Sequence, residues 1–189
     1  MNKLRRSLLS ILANNKIKYV KYLVGTGSQY MNTGLVGGLY RIELGAQATS
    51  IPDNGVLPIG AGQYFYLFFS TGDRTYVRLN YGNQLMTTNN SLIYHDYKLD
   101  GYNLYIDGEK RITVSSQASD GQLYLFKSSG YLDRLSTVKI SYCRIYDLNT
   151  NELIRDYKPA LDEDGRAGMY DAVSKTFTYS AVGEFEYEE

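Results

Sequence analysis

The chain has no tryptophan, one cysteine and one histidine among its 189 residues. One thiol cannot build an internal disulfide framework. One imidazole cannot assemble a histidine-based metal cluster, and neither Cys143 nor His95 has a second ligand at metal-binding spacing. The lack of tryptophan removes the largest flat face on which a sugar ring can stack. Three prolines and 18 glycines exclude collagen-like and proline-rich arrays. No run approaches the roughly 18 apolar residues of a membrane-spanning helix. The formal net charge is zero, and no basic stripe interleaves with aromatics, so nucleic acid is not an expected partner.

What is present is tyrosine. Its 20 copies are a severalfold excess over ordinary usage. Hydrophobic residues make up 43% and charged residues 21%, a globular composition. The length suits one domain that can bury a core without cross-links.

The zero net charge hides an asymmetry. Residues 1–23 hold Lys3, Arg5, Arg6, Lys16, Lys18 and Lys21 and no acid, whereas residues 152–189 carry ten acids and four bases. Opposite charge at the two ends predicts that they lie near each other. The alternative is a basic N-terminal segment that contacts a partner.

Leu4, Leu8, Ile11 and Leu12 recur at helical spacing, so residues 1–16 are expected as a short amphipathic helix ending near Asn14-Asn15. A helix this short is marginal alone and needs a surface to cover. That surface could be the domain itself, other copies of the helix, or a membrane or larger assembly. The segment imitates a signal peptide, but its apolar run is short and no A-x-A site follows, so secretion through it is not expected.

From residue 17 the period changes to two. Strand-like runs are Tyr19–Val24, Leu39–Leu44, Tyr64–Phe69, Thr75–Tyr81, Tyr94–Lys98, Leu104–Ile106, Arg111–Val114, Leu123–Phe126, Val138–Tyr146 and Thr176–Tyr179. The aromatic run Tyr64–Phe69 reads as a strand buried on both faces. Asp-Gly and related turn signals separate the runs. The Asp107-Gly108 pair predicts a tight hairpin, because both residues tolerate positive φ. Many short strands with regular turns indicate an antiparallel sandwich or barrel.

Three segments carry a family resemblance. Lys21-Tyr-Leu-Val-Gly-Thr-Gly-Ser-Gln-Tyr-Met-Asn-Thr-Gly34 resembles the opening of concanavalin A-like, laminin G-type jelly-roll modules, with Lys21 and Asn32 where acidic residues are common. Tyr97–Glu109 is similar to a hairpin of that fold. Lys139–Asp147, Glu152–Ala160, Gly168-Met-Tyr-Asp171 and Gly183-Glu-Phe185 resemble its closing signature. The resemblance spans residues 18–185. It implies an all-β jelly-roll sandwich of two antiparallel sheets over residues 17–189. Such modules occur in bacteriophage structural proteins and gut-bacterial surface proteins, so a virion or a bacterial surface is the expected location. The fold hosts lectins, glycanases and assembly modules alike.

Catalysis is not expected. Laminarinase-type relatives of the fold carry an E-x-D-x-x-E or E-x-D-x-E strand whose carboxylates attack and protonate the glycosidic bond. The period-two acidic run here, Glu184, Glu186 and Glu188, lacks the aspartate and reads as a solvated tail. His95 has no partner in the sequence that suggests chemistry, and no G-x-S-x-G elbow occurs. Cys143 sits in a strand-like run and reads as a buried, inert thiol. Gly25-Thr-Gly27 joins strands and reads as a turn. No cofactor is expected. Calcium has weak candidates in Asp53 and Asn54 and in Asp162 and Asp164, short of the six to eight oxygens such an ion takes.

Sugar recognition needs aromatic faces with planar polar groups beside them. Arg74, Tyr81, Asn83, Tyr131, Asp133 and Arg134 offer these types in loop-like segments. The expected function is a non-catalytic module that binds a glycan or host-surface receptor, with other virion or surface proteins as further partners. The alternative is an assembly module that oligomerises through residues 1–16. A laminarinase-type hydrolase ranks last.

Overall fold

The structure, a computed structural model, describes residues 17–36, 40–62, 65–70, 74–79, 85–113, 121–127 and 136–189, and for 74–79, 85 and 86 the backbone path alone. The helix expected over residues 1–16 lies outside the described residues.

The described residues form strands β1 (Lys18–Tyr19), β2 (Tyr22–Val24), β3 (Met31–Val36), β4 (Tyr40–Ala48), β5 (Val56–Ala61), β6 (Phe65–Ser70), β7 (Arg74–Leu79) and β8 (Leu85–Thr88). There follow β9 (His95–Asp100), β10 (Asn103–Ile106), β11 (Glu109–Thr113), β12 (Gln122–Leu125), β13 (Val138–Asp147), β14 (Leu153–Leu161), β15 (Ala167–Asp171), β16 (Thr176–Thr178) and β17 (Glu186–Glu188). They build two antiparallel sheets. The larger runs β11-β10-β9-β4-β13-β14-β15-β16, with β1 on β14 and β2 between β13 and β17. The smaller runs β3-β12-β5-β6-β7-β8. The chain is therefore an all-β sandwich of two antiparallel sheets, as its alternating pattern predicts.

Alternation explains the core. In β4, Ile42, Leu44, Ala46 and Ala48 point inward while Arg41, Glu43 and Gln47 stay partly exposed. In β13, Val138, Ile140, Cys143 and Ile145 are fully buried. These residues meet Met31, Val56, Ile59, Phe65, Leu67, Phe69, Leu123 and Leu125 of the smaller sheet in one cluster. The Phe69 and Tyr97 rings bridge the sheets with centroids 5.2 Å apart. β6 is buried on both faces, as its aromatic run predicts: Phe65, Leu67 and Phe69 join the main core, and Tyr66 and Phe68 pack with Leu57 in a second cluster. Cys143 is buried in the core face of β13, and burial pushes its thiol pKa up.

The two ends meet. β17 pairs with β2 in register Glu186↔Val24, Tyr187↔Leu23 and Glu188↔Tyr22. Lys18 Nζ lies 2.5 Å from Glu189, and Lys139 Nζ lies 3.0 Å from Glu188. The expectation of a solvated acidic tail is corrected in part. The glutamates are exposed, but their backbone is a paired strand, because the open edge of β2 offers hydrogen-bonding groups that the last residues satisfy.

Turn chemistry follows the residues. β10 and β11 join through Asp107 (φ 52°) and Gly108 (φ 81°), the two positive-φ positions of a tight hairpin. The Gly25–Gly27 segment is a turn between β2 and β3, organised by Gln29 Oε1, which accepts from Thr26 N at 2.8 Å and Thr26 Oγ1 at 3.1 Å.

Candidate functional site

The face of the larger sheet turned away from the core is polar and aromatic, and the strand register orders it into rows. One row reads Tyr105, Lys98, Glu43, Arg144, Asp156 across β10, β9, β4, β13 and β14. Lys98 Nζ sits 4.2 Å from the Tyr105 ring centre, and Arg144 reaches Asp156 at 3.3 Å and Glu43 at 3.9 Å. A second row holds Asp100, Arg41 and Tyr146, with the Arg41 guanidinium 3.8 Å from the Tyr146 ring centre. Opposite charges directly across a ladder stabilise each other modestly, and here they neutralise the face from within.

A third row shows a made-to-fit vacancy. Gly45 stands between Asp96 and Tyr142 in the register. The Tyr142 hydroxyl donates to Asp96 Oδ1 at 2.9 Å, and the Tyr94 hydroxyl donates to the same oxygen at 2.7 Å. A bulge at Ser141 brings its hydroxyl within 3.1 Å of Tyr94. A Cβ on residue 45 would collide with Ser141, Tyr94 and Tyr142 together. Burial, with Asp96 as acceptor, raises both phenols, Tyr94 to about 12. Both therefore remain donors at any physiological pH.

Toward the β15–β16 edge the same face turns aromatic and opens into a cleft of about 600 Å³. Its lining includes Ile17, Asp162, Glu163, Asp164, Tyr170, Lys175, Phe177 and Tyr179. Tyr170 and Phe177 face each other across β15 and β16 with ring centroids 5.3 Å apart. Phe177 and Tyr179, two residues apart, stack at 5.7 Å with 9° between planes. Tyr19 extends the run edge-on to Tyr170 at 6.3 Å.

Two carboxylates shape the loops that frame the cleft. Asp162 closes the β14–β15 turn: Oδ1 accepts from Asp164 N at 3.0 Å and Arg166 N at 2.9 Å. Gly165 takes φ 79° there, a backbone that suits glycine. The Tyr179 hydroxyl donates to Asp162 Oδ2 at 2.6 Å, and the Arg166 guanidinium lies 4.1 Å from the Tyr179 ring centre. The Tyr179 hydroxyl and those two backbone amides hold the Asp162 carboxyl below its ordinary range. Desolvation and the Asp162 charge push Tyr179 up to about 12. Asp171, buried under the β15–β16 turn, accepts from Asp156 N at 2.9 Å, Val173 N at 3.1 Å and Ser174 Oγ at 2.7 Å, with Arg155 3.6 Å away. Glu163, Asp164 and Lys175 are left exposed at the rim.

Apart from Asp162 and Asp164, named above as weak calcium candidates, this cleft holds none of the residues the sequence singled out. Tyr81, Asn83, Tyr131, Asp133 and Arg134 lie outside the described residues, and Arg74 starts β7 with its side chain likewise outside them. Asp53 and Asn54 occupy an exposed turn ahead of Gly55 (φ 71°). Asp162 uses both oxygens on protein donors, which favours its reading as a turn residue. No group of three or more metal-ligating side chains occurs among the described residues. His95 gains a partner the sequence did not reveal. Its Nδ1 lies 2.6 Å from Asp107 Oδ2 and its Nε2 3.1 Å from Asn90 O. Desolvation opposes ionisation of Asp107, but His95 and the Asp96 amide outweigh it and lower its carboxyl. With both ring nitrogens engaged, His95 pins the hairpin to the preceding loop. Tyr19, Phe177 and Tyr179 are legible in the sequence as strand residues and Tyr170 only as part of the family resemblance, because their convergence depends on the β15–β16 pairing.

No protein-family model and no curated protein sequence matches this chain. Its fold is matched among solved structures. One is the crystal structure of a Bacteroides ovatus protein described as a candidate carbohydrate-binding protein, with a TM-score of 0.63 and 15% identity. The match covers 90% of this chain and 61% of that one, so this chain spans under two thirds of that protein's length. The likeness shows the two-sheet sandwich fold.

Proposed function

We propose that this chain is a non-catalytic glycan-binding module whose cleft beside β15 and β16 holds a sugar ring. The observation that carries this is the half-exposed cluster of Tyr170, Phe177 and Tyr179 in one cleft with the exposed carboxylates Glu163 and Asp164 and the ammonium group of Lys175. Aromatic faces take the apolar side of a pyranose, and Glu163, Asp164 and Lys175 orient its hydroxyls. The fold shared with a candidate carbohydrate-binding protein supports the reading. Display on a bacterial surface or a phage particle follows from the family resemblance of residues 18–185.

Glycan-array screening followed by NMR titration tests the proposal. Phe177→Ala and Tyr170→Ala should each weaken the selected oligosaccharide about tenfold, the worth of one aromatic contact. Tyr81→Ala and Tyr131→Ala are the comparison pair. Loss in that pair with Phe177→Ala unaffected would move the site to the loops expected from the sequence. Hydrolysis of the bound oligosaccharide would overturn the non-catalytic reading.

A further inference from the structure

We propose that the loop of residues 89–94 is a pH-dependent latch, closed while both ring nitrogens of His95 carry protons and loosened when one is lost. The latch lies between β8 and β9 and does not depend on what the β15–β16 cleft binds.

The hydrogen bonds require two donors on one ring. His95 Nε2 lies 3.1 Å from the Asn90 carbonyl oxygen, which can only accept, so Nε2 carries a proton. His95 Nδ1 lies 2.6 Å from Asp107 Oδ2. The other oxygen, Oδ1, accepts from Asp96 N at 3.0 Å, and the lowered Asp107 pKa agrees with an ionised carboxyl. Nδ1 therefore donates as well, and only an imidazolium has both N–H groups. A neutral ring gives up one of the two ties. If Nε2 loses its proton, its lone pair faces the carbonyl oxygen. The side chain is 12% exposed, so little water replaces a lost partner. The charged neighbours among the described residues are Asp107 on the hairpin, Arg111 of β11 acting on Asp107, and Asp96 beside His95 on β9. The Tyr97 ring stands edge-on at 6.0 Å, Ala46 of β4 lies opposite, and the loop brings no acid or base besides the Tyr94 phenol.

An opposing tendency makes the loop poised. Ser91 is buried, and its hydroxyl has no hydrogen-bond partner among the described residues. Opening would return that hydroxyl to water. Leu92 and Ile93 are exposed and add little burial. The loop is docked by polar ties: Ala48 N donates to Ser91 O at 2.7 Å, and Gln47 Nε2 donates to Leu92 O at 2.6 Å. Few apolar contacts and many exposed hydrogen bonds mark a segment that opens on its own. Protonation favours the closed loop, so closure is strongest at acid pH and weakens as pH rises through the range in which histidines titrate.

Native-state amide hydrogen exchange on the full chain, followed by NMR from about pH 5 to about pH 8.5, tests this. Each rate is divided by the intrinsic rate at its pH. The Ala48 and Ile93 amides, bonded to Ser91 O and Asn90 O, report loop opening, and the buried Ile145 amide of β13 is the reference. Opening at Ala48 and Ile93 should rise about tenfold over this range with Ile145 unchanged, the scale of one charge-assisted hydrogen bond. His95→Gln, which cannot titrate, should show fast opening at every pH and no step. Ring ¹⁵N shifts should show both nitrogens protonated at the acid end. A flat profile in the parent, an equal rise at Ile145, or the same step in His95→Gln would overturn the latch. The parent profile decides alone if the variant fails to fold.

Discussion

The Tyr142 hydroxyl donates a 2.9 Å hydrogen bond to the Asp96 carboxylate from two strands away, passing over Gly45, which stands between them in the sheet. A side chain on the middle strand would block that path. The absence of one at position 45 lets two tyrosine hydroxyls share a single carboxylate oxygen, with the Ser141 hydroxyl bonded to Tyr94 behind them.

Gly45→Ala should therefore destabilise the protein. The new methyl meets Ser141, Tyr94 and Tyr142 at once, and overpacking of this kind costs about 1–3 kcal/mol. Urea denaturation measures it as a lower midpoint at unchanged slope. An unchanged midpoint would mean that the tyrosines swing aside freely.

Tyr179→Phe should release Asp162. The hydroxyl bond that lowers the Asp162 pKa disappears, so its carboxyl titration, followed by NMR, should move up toward the ordinary 3.8. The pH dependence has two arms. Asp162 has a depressed folded pKa, so its stabilisation is full above 3.8 and is lost as pH falls through the folded value. Tyr179 has a raised one, so its stabilisation is full below 10.0 and is lost as pH rises through about 12. Thermal melts of the variant should show shallower losses at both extremes than the parent.

Asp171→Ala should be among the most damaging single changes at this edge. It strands the amides of Asp156 and Val173 and leaves Arg155 without its buried partner. Each hydrogen bond lost to the buried carboxylate costs about 1.5–3 kcal/mol. Asp171→Asn, which keeps an acceptor, should cost less. Equal losses in the two variants would assign the effect to charge instead of hydrogen bonding.

Cys143 should be inert in the folded protein. Its thiol is buried on the core face of β13, and burial raises its pKa well above the ordinary range. Ellman's reagent at pH 8 should therefore read one thiol in denaturant and close to none without it. Rapid reaction in the native state would show that β13 opens on the time scale of the assay.

Much of the sandwich was written in local pattern. The β4, β6, β9, β10 and β13 strands follow period-two or aromatic runs, and the Asp107-Gly108 hairpin follows from two residues that tolerate positive φ. β14 was recognisable through its family resemblance but not by alternation. Pro159 interrupts it, and its carbonyl accepts from Val20 N. The excess of tyrosine also divides by structure. Tyr66, Tyr97 and Tyr157 are core residues, while Tyr19, Tyr170 and Tyr179 gather at the cleft.

By itself, then, the sequence determined the class of structure, the meeting of basic and acidic ends, and the buried place of Cys143, since alternation, turn residues and net charge are local or additive properties. Tertiary structure alone decided which side chains meet at the cleft. Tyr170 and Phe177 become one wall through the β15–β16 register, Asp162 acquires Tyr179 across 17 residues, and His95 acquires Asp107 across a hairpin. Such neighbours are set by which strands pair and in what register, and no spacing along the chain encodes the distance between side chains on different strands.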